Sequence, residues 1–502
     1  VALRLAWAIV RGNREAVQRE AVMTDPVQNA TQTIHNRMET GFLNPITNAD
    51  IKDVVREISA LPAADADKVV DALAADGTLD RVAAEIMDGS ILGLGGLSGD
   101  ERQAFFADMA GKLDGDSLGA LSDAFVRTDD RSGGFTPVTE LGSAIATHAG
   151  PQAKLDYLSA ITSGIEAGHQ SDYGFGYSST TFADAEASAA GEVLGSLRGA
   201  NAEEGFNRVG SHLSDVLSSS VDGQMTTMAT YPGGSTSMTW NANQFEAIMG
   251  AAATMSDADL KAQIFDAGVG TLRSVRDTNG VIGGLTVVGK DDTLGQMTNG
   301  LAKIVDSDTT GVMRELTFNA ATRDGSDFAA YAKEMLNQGR EADLGEQMAR
   351  LQMGNDMNEN PVERLARTEI VPNSDGQSRL PNAASLGYFV GGVAAGVKAI
   401  DVDVAKQQAM TTAVLKSVLT VVDKAKVGGP AAAAVGTAAS VAKEWVQFGV
   451  NAAITNPHAD AATTLAHAAL PVDPATKETG VGSAVTSDFE DALSFTSQFA
   501  KP

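Results

Sequence analysis

The chain has 502 residues, with 64 acidic and 37 basic side chains, a net charge of −27 and no cysteine. That charge repels a phosphate backbone and argues against nucleic acid as a partner. Zero cysteine excludes a disulfide scaffold, a thiolate zinc site and a cysteine nucleophile. With 43% hydrophobic and 20% charged residues the composition is globular, and the length suggests about two to four structural units.

Val1–Val10 is mostly apolar but is interrupted by Arg4. Arg11, Arg14, Glu15 and Arg19 follow without a small-residue cleavage site, which is not a signal-peptide layout. Ala2, Leu5, Ala6, Ile9 and Val10 share one helical face, as expected inside a helix of a longer polypeptide. Residues 50–130 read as helix after helix. Val54, Val55 and Ile58 recur at helical spacing, and Asp65 is placed to cap a helix holding Val69, Val70 and Leu73. Gly77 breaks that helix, and Leu79, Val82, Ala83 and Ile86 begin another stripe. After the Gly93–Gly96 linker, Ser98 opens a helix with Phe105, Phe106, Met109 and Leu113 on one face. Asp114-Gly115-Asp116 turns the chain towards Leu118, Leu121 and Phe125.

The same unit recurs more loosely downstream. Phe245, Ile248, Met249 and Ala252 precede a turn at Ser256-Asp257, and Leu260, Ile264 and Phe265 follow it. Phe328, Tyr331, Met335 and Leu336 precede Asn337-Gln338-Gly339, then Leu344, Met348 and Leu351. A helical hairpin cannot bury its stripe alone, so stacked neighbours must bury it. Residues 168–182, rich in Gly, Ser, Thr and Tyr, read as a loop. Thr226–Trp240, around Pro232-Gly233-Gly234, reads as a hairpin flap, and Val281–Val288 as a short strand pair. The fold expected is therefore all-α, a multi-helical array of helical hairpins with at most a minor β-hairpin. Its regions are 1–130, then 131–353 with the flap near 226–240, then a linker over 354–382, where Pro361, Pro372 and Pro381 stand among Asn residues. An Ala/Gly/Val-rich helical bundle over 383–502 completes it. The predicted core includes Val69, Leu73, Phe105, Met109, Leu121, Phe245, Ile264, Phe328, Met348, Leu415 and Leu419.

The C-terminal region differs in charge. Residues 381–502 carry 8 lysines, no arginine and 10 acidic residues, and residues 398–443 alone sum to +3. Leu380–Val397 runs 18 residues without charge and Val427–Ala442 runs 16. Spanning a bilayer takes roughly 20 predominantly apolar residues. The first stretch includes Pro381, Asn382, Ser385 and four glycines, and the second relies on alanine. Gly387, Gly391, Gly392 and Gly396 suit close helix packing. A membrane partner is thus possible but disfavoured, and a buried helical pair is expected.

The chemistry-bearing residues give few signals. The histidines are His35, His148, His169, His212, His458 and His467, without a metal spacing such as H-E-x-x-H; His458, Asp460 and His467 are the nearest to a set. Asp306-Ser307-Asp308-Thr309-Thr310-Gly311 imitates the start of a calcium loop. The twelfth position, which needs a bidentate Glu, is Thr317, and Glu315 falls two residues early, so a turn and helix cap is expected. No P-loop and no G-x-S-x-G elbow occurs. The Gly93–Gly99 run lacks the flanking strand of a dinucleotide fingerprint. Ser440-Val441-Ala442-Lys443 matches S-x-x-K without its companion motifs. Glu203-Glu204, Asp291-Asp292 and Glu490-Asp491 are carboxylate pairs that read as solvated surface. Tyr173, Phe175, Tyr177 and Phe182 form an aromatic cluster that reads as loop anchoring. No catalytic residue, cofactor or metal is assigned from these patterns.

Leu386-Gly387-Tyr388-Phe389-Val390-Gly391-Gly392-Val393-Ala394-Ala395-Gly396-Val397 is followed by a lysine-dotted helix with Val414, Leu415, Val418, Leu419 and Val422. Gly428-Gly429-Pro430 and an Ala/Val helix ending Trp445-Val446-Gln447-Phe448 come next. Together with the upstream hairpins, this resembles the helical carrier regions of large bacterial secreted toxins and effectors. The resemblance is one of style over about residues 50–460. It implies delivery to another cell, a toxic module elsewhere, and a protein partner such as a chaperone, immunity or delivery component. Three functions follow: a non-catalytic helical scaffold of such an effector, a membrane-active protein using the C-terminal helices, or an enzyme whose site lies in the 168–182 and 224–240 loops.

Overall fold

The computed structural model describes residues 25–39, 46–87, 96–128, 135–165, 171–173, 177–179, 185–222, 226–228, 237–278, 281–282, 285–319, 325–370, 378–425, 432–455, 460–470 and 483–499. The Val1–Val10 face, the Gly93–Gly95 start of the linker, His169, His458 and Gly428-Gly429-Pro430 lie outside them, as do the side chains of the 173–182 aromatic cluster. The architecture is all-α, and strands enter only as short pairs. The chain forms two compact units, one from residues 1–197 and 204–219, the other from 198–203 and 220–502.

The first unit contains α1 (Pro26–Met38), α2 (Asn48–Ala60), α3 (Ala63–Ala75), α4 (Thr78–Met87), α5 (Gly99–Lys112), α6 (Gly115–Thr128), α7 (Phe135–His148), α8 (Pro151–Ile161) and α9 (Ala185–Ser196). The chain continues through α10 (Ala200–Val209) and α11 (Leu213–Asp222). Helix starts follow capping chemistry. Thr47 and Asp50 form a capping box on α2, as do Ser98 and Glu101 on α5. Asp65 does not cap α3 but lies in its first turn behind Pro62, where a carboxylate still favours the positive end of the helix dipole. Gly77, at φ +79°, allows the turn between α3 and α4. The dominant packing skips one helix: α1 lies on α3, α4 on α6, α5 on α7, α6 on α8 and α7 on α9. Most stripes are thus buried mainly by the next helix but one, a relation that hairpin periodicity does not display, though α2 packs chiefly on α1. Phe106 and Phe125 meet edge to face at 5.3 Å in this core. β1 (Ser171–Tyr173) and β2 (Tyr177–Ser179) pair antiparallel where a loop was expected.

The second unit begins with β3 (Thr226–Met228), β4 (Ser237–Thr239), α12 (Asn243–Ala253), α13 (Ala258–Asp277), β5 (Val281–Ile282) and β6 (Leu285–Val288). The flap and the strand pair join in one small sheet of order β3-β4-β6-β5, with β4 and β6 parallel. Next come α14 (Lys290–Ser307), α15 (Thr309–Phe318), α16 (Gly325–Asn337), α17 (Glu341–Met353) and α18 (Pro361–Leu365). The stretch 354–382, expected as a linker, is folded in its described parts. Asn360 caps α18, its side chain accepting from Val362 N at 2.9 Å with Pro361 at the first helical position. β7 (Glu369–Ile370) pairs with β8 (Ser378–Arg379). Asn and Pro mark a helix start here rather than a boundary, and the division between units falls near 197–220.

The unit ends with α19 (Pro381–Ala399), α20 (Val404–Ala425), α21 (Ala432–Thr455), α22 (Ala461–Ala469) and α23 (Ser483–Ser497). Every residue from 383 to 397 is buried. A helix apolar all round belongs in a core or a membrane, and α19 is wrapped mainly by α23 and α16. Its expected partner, the 427–442 stretch, is not among its main contacts. A Cβ at Gly387 would press on the Phe489 carbonyl, 2.9 Å from its carbon, and one at Gly391 would lie 2.6 Å from the Leu493 oxygen. Gly392 and Gly396 make the same close approach to Phe328 and to the Lys333 backbone. Phe328 ties this core together, 5.3 Å from Phe389, 5.6 Å from Tyr331 and 6.3 Å from Phe265. Of the predicted core residues all are buried except Leu419, which is half-buried.

Candidate functional site

The calcium-like segment is a helix cap. Asp308 accepts from Gly311 N at 3.0 Å and so starts α15. Asn355 binds the same turn, accepting from Thr310 N at 3.2 Å and from Thr310 Oγ1 at 3.0 Å while donating to Asp308 at 2.7 Å. Behind it stands Arg364, 4% exposed, which donates to Leu351 O at 3.1 Å, Glu359 Oε1 at 3.0 Å and Thr310 Oγ1 at 3.1 Å. Burial lowers the Arg364 pKa, and Glu359 opposes that shift. The connecting loop places Met357 at φ +53°. Asp306 turns elsewhere, into a buried network where Gln347 Nε2 donates to it at 2.8 Å and to Tyr331 OH at 3.1 Å. Burial pushes the Asp306 carboxyl up, with the Gln347 hydrogen bond opposing. Thr317 donates to Met313 O at 2.6 Å. The would-be ligands therefore serve three separate structural tasks.

A second polar cluster lies in the first unit. Glu186, in the first turn of α9, is 4% exposed. Asp123 of α6 is hydrogen-bonded to it and half-exposed. Arg127 forks onto Asp80 of α4 at 2.9–3.2 Å and stands 3.7 Å from Asp123. Beneath them Tyr157 OH and Ser122 Oγ share a buried hydrogen bond of 2.9 Å. No motif or spacing in the sequence marks this cluster. Its only signal was a Glu inside the small-residue run Ala185–Gly191.

The other residues of interest do not converge. His35 meets Asp76 at 2.7 Å, His212 lies 3.9 Å from Asp215, His467 packs edge-on to Phe448 at 6.0 Å, and His148 is exposed at the end of α7. Lys443 donates to Asp423 of α20 at 2.9 Å, tying α21 to that helix. Glu204 pairs with Arg208 at 2.9 Å, and Glu203 accepts from Ser256 at 3.2 Å. Asp291 and Asp292 occupy the first turn of α14, and Glu490 and Asp491 lie on α23. A cleft of ≈ 640 Å³ is lined by Arg273, Arg276, Asp277, Ser326, Gln498 and Phe499. Its arginines are already engaged, Arg273 with Asp327 at 2.5 Å and Arg276 with Asp277 at 3.1 Å.

Among the described residues, no group of three or more His, Asp or Glu is arranged to hold a metal ion. No described helix is long and apolar enough to cross a membrane. No family model, curated protein or solved structure matches the chain.

Proposed function

We propose that this chain is a non-catalytic helical scaffold of a bacterial secreted effector or toxin, handled by a protein partner such as a chaperone, immunity or delivery component. One observation carries the reading. The polar residues with the most chemical potential are consumed in ties between helices: Asp308 and Asn355 at the α15 cap, Arg364 behind them, and Lys443 on Asp423. Such ties fix the register of a stacked array, and buried polar groups are costly unless so satisfied. The stacked apolar stripes and the likeness of the C-terminal region to carrier segments support the same reading. The test is delivery. A tagged chain is expressed within its native gene in bacteria with intact and with disabled secretion machinery. Appearance in recipient cells only with the intact machinery is the expected outcome. Retention in the producer in both cases refutes the proposal.

A further inference from the structure

Most described cations of this chain are spent on carboxylates or carbonyls. Lys52 meets Glu101 at 2.7 Å, Lys303 meets Glu246 at 2.7 Å and Arg340 meets Asp343 at 2.6 Å. Helix α20 departs from that pattern. Its Lys406, Lys416 and Lys424 are all exposed. Among the described residues, none of the three has an ion-pair or hydrogen-bond partner for its ammonium group. The nearby carboxylates are engaged or lie off the helix. Asp403 accepts from Lys406 N at 2.8 Å, Asp423 accepts from Lys443 at 2.9 and 3.2 Å, and exposed Asp401 precedes the helix. A chain with 64 acidic side chains thus leaves these three lysines, on one side of one helix, without a carboxylate. The opposite side is the one that packs: Val414, Leu415, Val418 and Val422 are buried, and α20 lies mainly on α17 and α21. By helix geometry Lys406 and Lys424 share one azimuth about 27 Å apart, and Lys416 stands between them in height, about 80° round the helix. Exposed Ala409 and Thr420 and half-buried Ala413 fill that arc. Their short side chains keep the strip low, so a second helix, about 10 Å across, can lie along it between the ammonium groups.

We propose that the lysine face of α20 docks an acidic helical peptide segment of a protein partner, a docking that rests on the reading of the chain as a scaffold handled by a protein. Complementary charge selects this occupant. Lysine is a point charge on a flexible stem, so three of them reach carboxylates spaced along a facing helix. At physiological ionic strength the Debye length is about 8 Å, so a ligand on this face responds chiefly to the lysines and little to the distant acidic surface. A lipid surface fits less well, because a helix that lies in a membrane interface buries an apolar face there. Here the lysines flank alanine and threonine, and exposed Val404 lies about 160° round the helix from Lys406.

The experiment uses the full chain and a fluorescein-labelled helical peptide of glutamate and alanine, with anisotropy read at low and at high salt. The wild type should bind the peptide at low salt and release it at high salt. A triple variant, Lys406→Glu, Lys416→Glu and Lys424→Glu, should weaken binding about tenfold or more. Lys68→Glu in the first unit, at an exposed lysine paired only with Asp65 at 3.5 Å, should leave binding unchanged. Circular dichroism checks that the variants fold; should the triple variant not fold, Lys406→Gln, Lys416→Gln and Lys424→Gln together replace it. A peptide of glutamine and alanine should not bind. Vesicles of about one part phosphatidylserine to three of phosphatidylcholine form the competing arm. No binding, equal binding by the triple variant, equal binding of the glutamine peptide, or lysine-dependent binding to the vesicles in place of the peptide overturns the proposal. Delivery is scored separately in the secretion assay above. A delivered chain that binds no acidic peptide refutes the docking alone, and a peptide-binding chain retained in the producer refutes the effector reading alone.

Discussion

Replacing Gly387 by Ala tests whether α23 truly lies backbone-to-backbone on α19. The new Cβ would press on the Phe489 carbonyl oxygen, 2.9 Å from its carbon and 3.1 Å from its Cα. All three are backbone atoms, so no side-chain rotation relieves them. Ordinary contact begins near 3.4 Å, so α23 must retreat by about half an ångström or more. A gap of that size forfeits about a quarter of the dispersion well of the contacts it opens. Overpacking of this kind costs about 1–3 kcal/mol, while Ala in a helix interior returns about 1 kcal/mol over Gly. The net expectation is a loss of up to about 2 kcal/mol. Gly270 in α13 supplies the control in the same unit, because a Cβ there meets nothing within 4 Å. Gly270→Ala should therefore gain about 0.5–1 kcal/mol from helix propensity alone. Urea unfolding followed by far-UV circular dichroism reads both. Opposite midpoint shifts are expected, and a stabilising shift in both variants refutes the close packing argument.

Phe328→Ala should lower stability by about 3–5 kcal/mol, because its ring meets four other aromatic rings; calorimetry or urea titration of the variant measures it. Asp308→Ala should cost about 1 kcal/mol through loss of the α15 cap, with Asp308→Asn recovering most of it, as read by the same titration. Vesicles containing anionic lipid and dye should stay intact with the chain at neutral and acidic pH. Leakage that vanishes in a folded Val393→Asp variant would instead favour the membrane-active reading.

Periodicity made most of this fold legible. The stripes at Phe105 and Met109, Phe245 and Ile248, and Phe328 and Met335 are all buried, since a helix face must find cover wherever its partner comes from. Caps at Ser98 and Asp308 were legible too, because each satisfies local backbone donors within a few residues of chain, whereas Asp65, expected to cap α3, sits in its first turn. The glycines of α19 were legible as close-approach positions. What they approach was not, because α23 lies about a hundred residues downstream and nothing in the α19 stretch names it.

The polar interior shows the same limit more sharply. Arg364 is buried because Leu351, Glu359 and Thr310 surround it with acceptors, and buried Glu186 lies close against the Gly164 turn. For Arg364 the desolvation cost is offset by acceptors 5, 13 and 54 residues away in sequence, so hydropathy alone assigns it, like Glu186, to the surface. A chain of net charge −27 can hold a carboxyl pair inside a helical array only by keeping a proton there or by supplying a cation. In the first unit Arg127 pairs with Asp80 and stands beside Asp123, and its charge acts on Glu186 as well.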